Sequence, residues 1–211
     1  MTYTITELEQ QERHYRANLL NSITGLKPAN LIGTMGASGV ANVAIFSSVV
    51  HLGASPALIA YVQRPLTSTS HTYHNILATK QYTINHVHQG IVEQAHYTAA
   101  KYNEATSEYT VCNLTPEYVP NFTAPYVLES IIKIGLELVE LVPIKHNNTT
   151  LVIGKVVQVM LPQEIINADG SLNLEAAQSM AVAGLDAYYT ASHYAQYPYA
   201  QVGNVPKLWG M

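Results

Sequence analysis

The sequence is short of charge, of cysteine and of every aromatic except tyrosine, and each shortage closes off a class of function. Only 11% of its residues are charged, against roughly 25% in an average soluble domain. Its ten Lys plus Arg are scattered along a chain of net charge −4. Such a chain lacks the electrostatic footprint that nucleic acid or anionic lipid requires, so neither a nucleic acid nor a membrane is expected as a partner. Cys112 stands alone, which excludes an intrachain disulfide framework and a cysteine-based zinc site and suits a reducing compartment. Asp occurs only as Asp169 and Asp186, and no Gly-x-Ser-x-Gly elbow is present, so a hydrolase triad has little to be built from. No apolar run reaches the roughly 18 residues of a spanning helix; the stretch 151–162 is interrupted by Lys155 and Gln158. Residues 1–16 are polar and acidic, with no apolar signal region, and the expected location is the cytoplasm.

What is present is a chain of 211 residues that is 48% hydrophobic, enough for one buried core and too apolar for disorder. A single domain over 1–211 is expected, with an N-terminal helix or arm over about residues 1–22 and a Tyr-rich tail over about 184–211. Tyrosine occurs 15 times against 2 Phe and 1 Trp, a choice that suits pocket rims and interfaces because each ring carries a hydroxyl in need of a partner.

Residues 5–20 are amphipathic, with Glu7, Glu9 and Glu12 ahead of Arg13 and Arg16, the order a helix dipole favours. Residues 30–35, 41–52 and 57–63 are β-branched or small-apolar runs separated by Gly, Ser and Pro turns. The gaps between them are too short for parallel crossovers, so antiparallel pairing follows. A helix is expected over 70–79, a strand over 82–87 and a helix over 91–102. Residues 103–126 read as a long excursion of the kind that carries function or forms an interface. Strands over 132–142 and 150–161 flank a His146-Asn147-Asn148 turn, and a last helix is expected over 174–183. This pattern is mainly β with interposed helices and predicts a closed or nearly closed antiparallel barrel.

Three constellations invite a chemical reading. Residues 33–39 are rich in glycine but lack the Gly-Lys-Ser/Thr ending of a phosphate loop, so a hairpin turn accounts for them better. His71 and His74, and His86 and His88, are spaced to share a helix or a strand face, yet no His-Glu-x-x-His pattern or fixed carboxylate accompanies them, and no metal is assigned. The third is a concentration of hydroxyl and amide side chains at strand ends: Thr34, Asn42, Ser47 and Ser48, then Arg64 and the run 67–72, then Asn75. Such groups serve equally to hold a phosphorylated cofactor, with Arg64 pairing the phosphate in fork geometry, or to cap the helix near His71, with Ser70 as its N-cap.

The ordered series Gly39-x-x-Asn42-x-Ala44-x-Phe46-Ser47-Ser48, Ser55-Pro56-Ala57-Leu58, Thr72-x-x-Asn75-Ile76 and Tyr82-x-Ile84-Asn85 resembles the flavin reductase-like family. The resemblance continues through Glu93-Gln94-Ala95-His96, Ser107-Glu108-Tyr109, Leu114-Thr115-Pro116 and Gly154-Lys155-Val156-Val157, and spans roughly residues 20 to 190. It implies an FMN-binding split β-barrel, antiparallel and Greek-key-like, and a homodimer that binds FMN, less often FAD, near the subunit interface. The implied cofactor-binding set is Asn42, Ala44, Phe46, Ser47 and Ser48 along the isoalloxazine, and Thr34 near the ribityl-phosphate. Arg64, Thr69, Ser70 and Thr72 would hold the phosphate, and Asn85 the floor. It implies an NAD(P)H-dependent flavin reductase with free flavin or another small molecule as electron acceptor. The alternatives are an FMN-binding electron carrier and a non-enzymatic flavin-binding dimer. No catalytic side chain is implied, because a flavin carries its own redox chemistry.

Overall fold

The computed structural model describes residues 1–201. Its first elements are two short helices where one was expected over 5–20. Helix α1 (Ile5–Glu9) starts at a capping box between Thr4 and Glu7. Helix α2 (Arg13–Ser22) begins afresh because the Glu12 carboxylate turns back to accept the His14 and Tyr15 N–H groups. Glu12 is therefore a cap rather than one of a row of first-turn acids.

A two-residue strand β1 (Lys27–Pro28) leads into β2 (Asn30–Met35) and β3 (Ala41–Phe46), an antiparallel pair with Thr34 opposite Asn42. The glycine-rich stretch between them is the hairpin turn expected, closed by Gly36 N–H to Val40 O, with Gly39 at φ +80°. The run expected as one strand over 41–52 is broken at Ser47-Ser48, and β4 (Val49–Ala54) follows, paired with β5 (Ala57–Gln63). Then come α3 (His71–Thr79), β6 (Gln81–His86), α4 (Val92–Tyr97), α5 (Glu108–Val111), the hairpin β7 (Pro116–Val119) and β8 (Phe122–Val127), and the long pair β9 (Lys133–Ile144) and β10 (Thr149–Met160). Strands β11 (Met180–Ala183) and β12 (Ala187–Thr190) complete a small sheet with β1.

The central sheet has seven strands in the order β3-β2-β6-β9-β10-β5-β4, every pair antiparallel. Its two outermost strands, β3 and β4, are consecutive in the chain. At the Ser47-Ser48 bend the segment leaves β2 and joins β5: Val62 N–H donates to Ser48 O and Ser48 Oγ donates to Val62 O. The covalent bend thus brings the two edges of the sheet together as the nearly closed barrel expected from the strand pattern, without a ladder between β3 and β4. Inside it lie Ile32, Tyr61, Ile76, Tyr82, Ile84, Leu136 and Val152. Outside β2, a second cluster joins Leu31, Val43 and Val87 to Ile91, Ala95, Tyr109, Leu114, Val127, Met180 and Val182. Because successive side chains of β2 point to opposite faces, Leu31 and Ile32 enter different cores, and β2 is buried from Asn30 to Thr34.

Tyr61, Tyr82, Tyr109 and Tyr126 are completely or almost completely buried, so part of the tyrosine excess is core rather than rim. Phe46, Tyr61 and Tyr82 meet edge to face, with centroids 5.0 Å and 6.1 Å apart. Among the described residues the Tyr61 and Tyr82 hydroxyls have no hydrogen-bond partner, and burial pushes both well above the ordinary phenol range.

Three further expected segments differ from the sequence reading. The helix expected over 91–102 ends at Tyr97, where Thr98 Oγ1 returns a hydrogen bond to Ala95 O, and residues 98–102 leave as irregular chain. The excursion over 103–126 is not a bare loop but holds α5, β7 and most of β8, and these pack on β2, β3 and β6. The helix expected over 174–183 is absent. A single turn ends at Gln178 with φ 50°, and Met180–Ala183 is drawn into a strand by pairing with β1 and β12.

Candidate functional site

A cleft of about 280 Å³ opens beside β3. Period-two alternation sets Asn42, Ala44 and Phe46 on one side of that strand, and all three line the cleft together with Ile45. The end of β5 and the loop after it supply Gln63, Arg64, Thr69 and Ser70, and the first turn of α3 supplies His71 and Thr72. The irregular stretch 98–102 and Glu108 complete the lining.

A buried polar knot fixes the inner end. Thr34 Oγ1 accepts from Asn42 Nδ2 at 3.4 Å and from Asn75 Nδ2 at 3.1 Å, and Asn42 Nδ2 also reaches Thr72 Oγ1 at 3.1 Å. Thr34 therefore joins β2, β3 and α3 from behind the cleft wall and is fully buried. The loop is ordered by its own hydroxyls. Ser70 Oγ accepts from Thr67 N–H, and Ser70 makes no side-chain cap on α3, contrary to expectation. The helix start relies instead on backbone bonds, among them Ser70 O accepting from His74 N–H. Arg64 is exposed, its Nη2 3.4 Å from Asn21 Oδ1 of α2.

The free edge of β3 is partly covered by two consecutive residues of the excursion. Ser107 Oγ donates to Ala41 O, and Glu108 Oε2 accepts from Val43 N–H at 3.3 Å. Backbone groups of residues 41, 43 and 45 turn to the same side in an extended strand. Once Ser107 and Glu108 are spent, the next outward pair is Val43 C=O and Ile45 N–H, beside the cleft-lining Ile45. Glu108 is only 5% exposed. Burial pushes its carboxyl above the ordinary range, opposed by its own N–H, that of Val43 and the charge of His71.

A folded-state proton held to higher pH than in the unfolded chain gives stability that is present below the ordinary glutamate range, about pH 4.3, and is lost as pH rises through the folded value. Glu108→Gln keeps an acceptor for Val43 and removes the charge. Its urea midpoint is expected to match wild type near pH 4 and exceed it at neutral pH; midpoints running parallel across pH 4–8 would remove this assignment.

Of the expected binding residues, Asn42, Ala44, Phe46, Arg64, Thr69, Ser70 and Thr72 meet at this cleft. Ser47 and Ser48 form the barrel-closing bend next to it. Asn85 is fully buried and is not among the lining residues: its Nδ2 donates to Leu31 O and Thr83 Oγ1 and its Oδ1 accepts from Val127 N–H, so it bolts β6 to β8. The sequence reading assigned no role to Gln63, Glu108 or the 98–102 wall; Glu108 does lie in the Ser107-Glu108-Tyr109 motif that helped to carry the resemblance. His71 Nε2 faces Tyr102 O at 3.3 Å and His88 Nε2 faces Glu129 O at 2.9 Å. Burial pulls His86 down to about 4, so it is neutral at ordinary pH. Among the described residues no three His, Cys, Asp or Glu side chains are grouped to hold a metal, and no helix is long and apolar enough to cross a membrane.

The family model described as "Flavin reductase like domain" matches residues 26–196. A crystal structure from Shewanella frigidimarina, of a candidate flavin reductase with a split barrel domain, is 43% identical, with a TM-score of 0.91 over 95% of this chain and 100% of that one. Component B of nitrilotriacetate monooxygenase from Bacillus cereus shares 19% identity, with a TM-score of 0.82 over 93% of this chain and 98% of that one. The flavoredoxin of Desulfovibrio vulgaris shares 22%, with a TM-score of 0.72 over 83% and 92%. At those identities the last two show the fold alone.

Proposed function

The chain belongs to the flavin reductase like domain family, and from that premise we propose that it binds FMN without a covalent bond in the cleft beside β3 and acts as an NAD(P)H-dependent flavin reductase. The observation that carries this reading is the donor set of one cleft: a guanidinium and three hydroxyls at one end, apolar Ala44, Ile45 and Phe46 along one strand, and an open β3 backbone edge beside them. The set fits a phosphorylated, flat, polar-edged ring system. Arg64, Thr69, Ser70 and Thr72 would hold the phosphate, Ala44 and Phe46 would lie along the ring, and Ile45 N–H would meet its polar edge. Bound FMN would supply hydride acceptance and onward electron transfer. What falls to the protein is to hold a nicotinamide at a reacting distance of about 3–3.5 Å, and to aim fixed N–H dipoles where negative charge grows. Neither task needs a side-chain acid or base.

A homodimer in the cytoplasm, passing electrons to free flavin or another small acceptor, completes the proposal. Exposed apolar side chains on the edge strand β4 and on the adjoining strands β9 and β10 support self-association: Val50, Leu52, Val139, Val142, Ile144, Val157 and Val159.

The test is a visible spectrum of the protein after incubation with FMN and gel filtration, followed by anaerobic NADH and then NADPH. Co-elution of flavin with a dimer-sized protein and bleaching by one donor is expected. Flavin that stays oxidised under both donors would leave an electron carrier instead, and a colourless protein that cannot take up FMN would remove the reading.

A further inference from the structure

A second cavity, of about 10 Å³, lies between the β2–β3 hairpin, the start of α3 and the turn 103–106. It shares Asn42 and His71 with the cleft and no other lining residue, and it has room for one water-sized occupant. Its lining is rich in oxygen acceptors. The Thr34 and Thr72 hydroxyls take Asn42 Nδ2, and the Thr34 hydroxyl also takes Asn75 Nδ2. Both amide Oδ1 atoms are left without a donor among the described residues, although Asn42 is only 7% exposed. Gly36 shows where oxygens converge: a Cβ there would stand 3.1 Å from Val40 O, 3.5 Å from Ser38 Oγ and 3.6 Å from Asn75 Oδ1. Val40 O accepts from Gly36 N–H and keeps a second lone pair. Glu104 brings one carboxylate to the same lining, and among the described residues it has no ion pair. Donors are few. Thr106 Oγ1 is spent on Asn103 Oδ1, and His71 Nε2 faces Tyr102 O, which leaves Asn103 Nδ2 and the Ser38 hydroxyl.

We infer that this cavity is a binding site for a single monovalent cation, held by Val40 O, Ser38 Oγ, the Oδ1 atoms of Asn42 and Asn75 and the Glu104 carboxylate. A water donates only two hydrogen bonds, too few for Val40 O, Asn42 Oδ1, Asn75 Oδ1 and Glu104 together, whereas a hard cation takes carbonyl and carboxylate oxygens alike as ligands. One carboxylate among neutral oxygens matches a single positive charge. Calcium is ordinarily held by more ligand charge, and magnesium keeps several of its waters, for which a cavity of about 10 Å³ has no room. The ion ties the hairpin to α3 and to the turn 103–106, and it fixes Asn42 where that side chain enters the cleft wall. It needs no flavin to bind.

The test uses the full chain without added FMN, exchanged into tetramethylammonium chloride, whose cation is too large for the cavity. Unfolding temperature is read in that salt and in the chlorides of sodium, potassium, ammonium and calcium at equal ionic strength, so that screening is constant. One of the three small monovalent ions is expected to raise the wild-type unfolding temperature by about 3 °C or more, increasing with ion concentration as a filling site does. The rise should vanish in Gly36→Ala, whose methyl takes the ion's place; Gly36 lies outside the left-handed region, so its backbone accepts alanine. In Glu104→Gln, an exposed position, the same rise should need about tenfold more ion. Differences are read between salts within each variant, so a change in its baseline stability cancels, and Glu104→Gln decides alone if Gly36→Ala does not fold. Equal unfolding temperatures in tetramethylammonium and the three small monovalent ions would leave a water in the cavity and overturn the site. An ion response unchanged from wild type in either folded variant also overturns it, and a larger response to calcium than to any monovalent ion overturns the assigned charge.

Discussion

Gly33→Ala is expected to cost about 3 kcal/mol or more of folding stability, read as a lowered urea midpoint with an unchanged slope. Gly33 sits in the middle of β2, and a Cβ there would strike Pro125 O, Thr83 Oγ1 and the Tyr109 hydroxyl together. Two of those atoms cannot retreat cheaply. Thr83 Oγ1 and the Tyr109 hydroxyl both donate to Pro125 O, at 2.8 Å and 3.1 Å, in a region closed to water. Making room separates at least one donor from its acceptor, and an unsatisfied buried polar group adds about 1–3 kcal/mol to the overpacking itself. Since β2 is buried on both faces, no relaxation toward solvent is open to it. A midpoint within about 0.5 kcal/mol of wild type would mean that the β8 hairpin does not press on β2 as described.

Arg64→Ala is expected to weaken FMN by about 1.5–3 kcal/mol, the range of a hydrogen bond to a charged group, or roughly ten- to a hundredfold in dissociation constant. Fluorescence titration of FMN measures it. Arg64 is exposed and its contact to Asn21 is long, at 3.4 Å, so the variant should unfold with wild type and the effect should be on binding alone. Arg64→Lys should recover only part of the loss, because a point charge does not reproduce the planar fork. Unchanged affinity would take the phosphate away from this end of the cleft.

Much of the barrel was legible because its strands alternate or run β-branched between strong turn residues, and because short gaps forced antiparallel pairing. Strands β2 and β5 fall where the pattern put them, at Asn30–Met35 and Ala57–Gln63. The run over 41–52 hid its bend because Ser47 and Ser48 read as ordinary strand residues; only the change of partner from β2 to β5 shows what they do. Residues 174–183 carry helix-forming alanines, yet pairing with β1 and β12 outweighs local propensity. At the cleft, Asn42, Arg64 and Thr72 were legible as polar residues at strand and helix ends. Asn85 misled because its backbone-bolting role and a ligand-floor role call for the same side chain. Glu108 was quoted only as part of a motif, since nothing local says that a glutamate 65 residues on will cap the N–H of Val43.

The bend at Ser47-Ser48 makes one covalent segment serve as both ends of a ring. In an open sheet, neighbouring strands slide by a residue whenever their faces permit it. Here a slip between any two neighbours would have to be undone elsewhere around the ring, because β3 and β4 cannot shift independently of each other. The spacing between the β3 side of the cleft and its Arg64 side is therefore set by counting residues around a closed loop, and not by the strength of any single pairing. Insertions should be absorbed at hairpin tips such as 145–148, whereas one added residue within 41–54 would displace the β3 wall of the cleft against its Arg64 side.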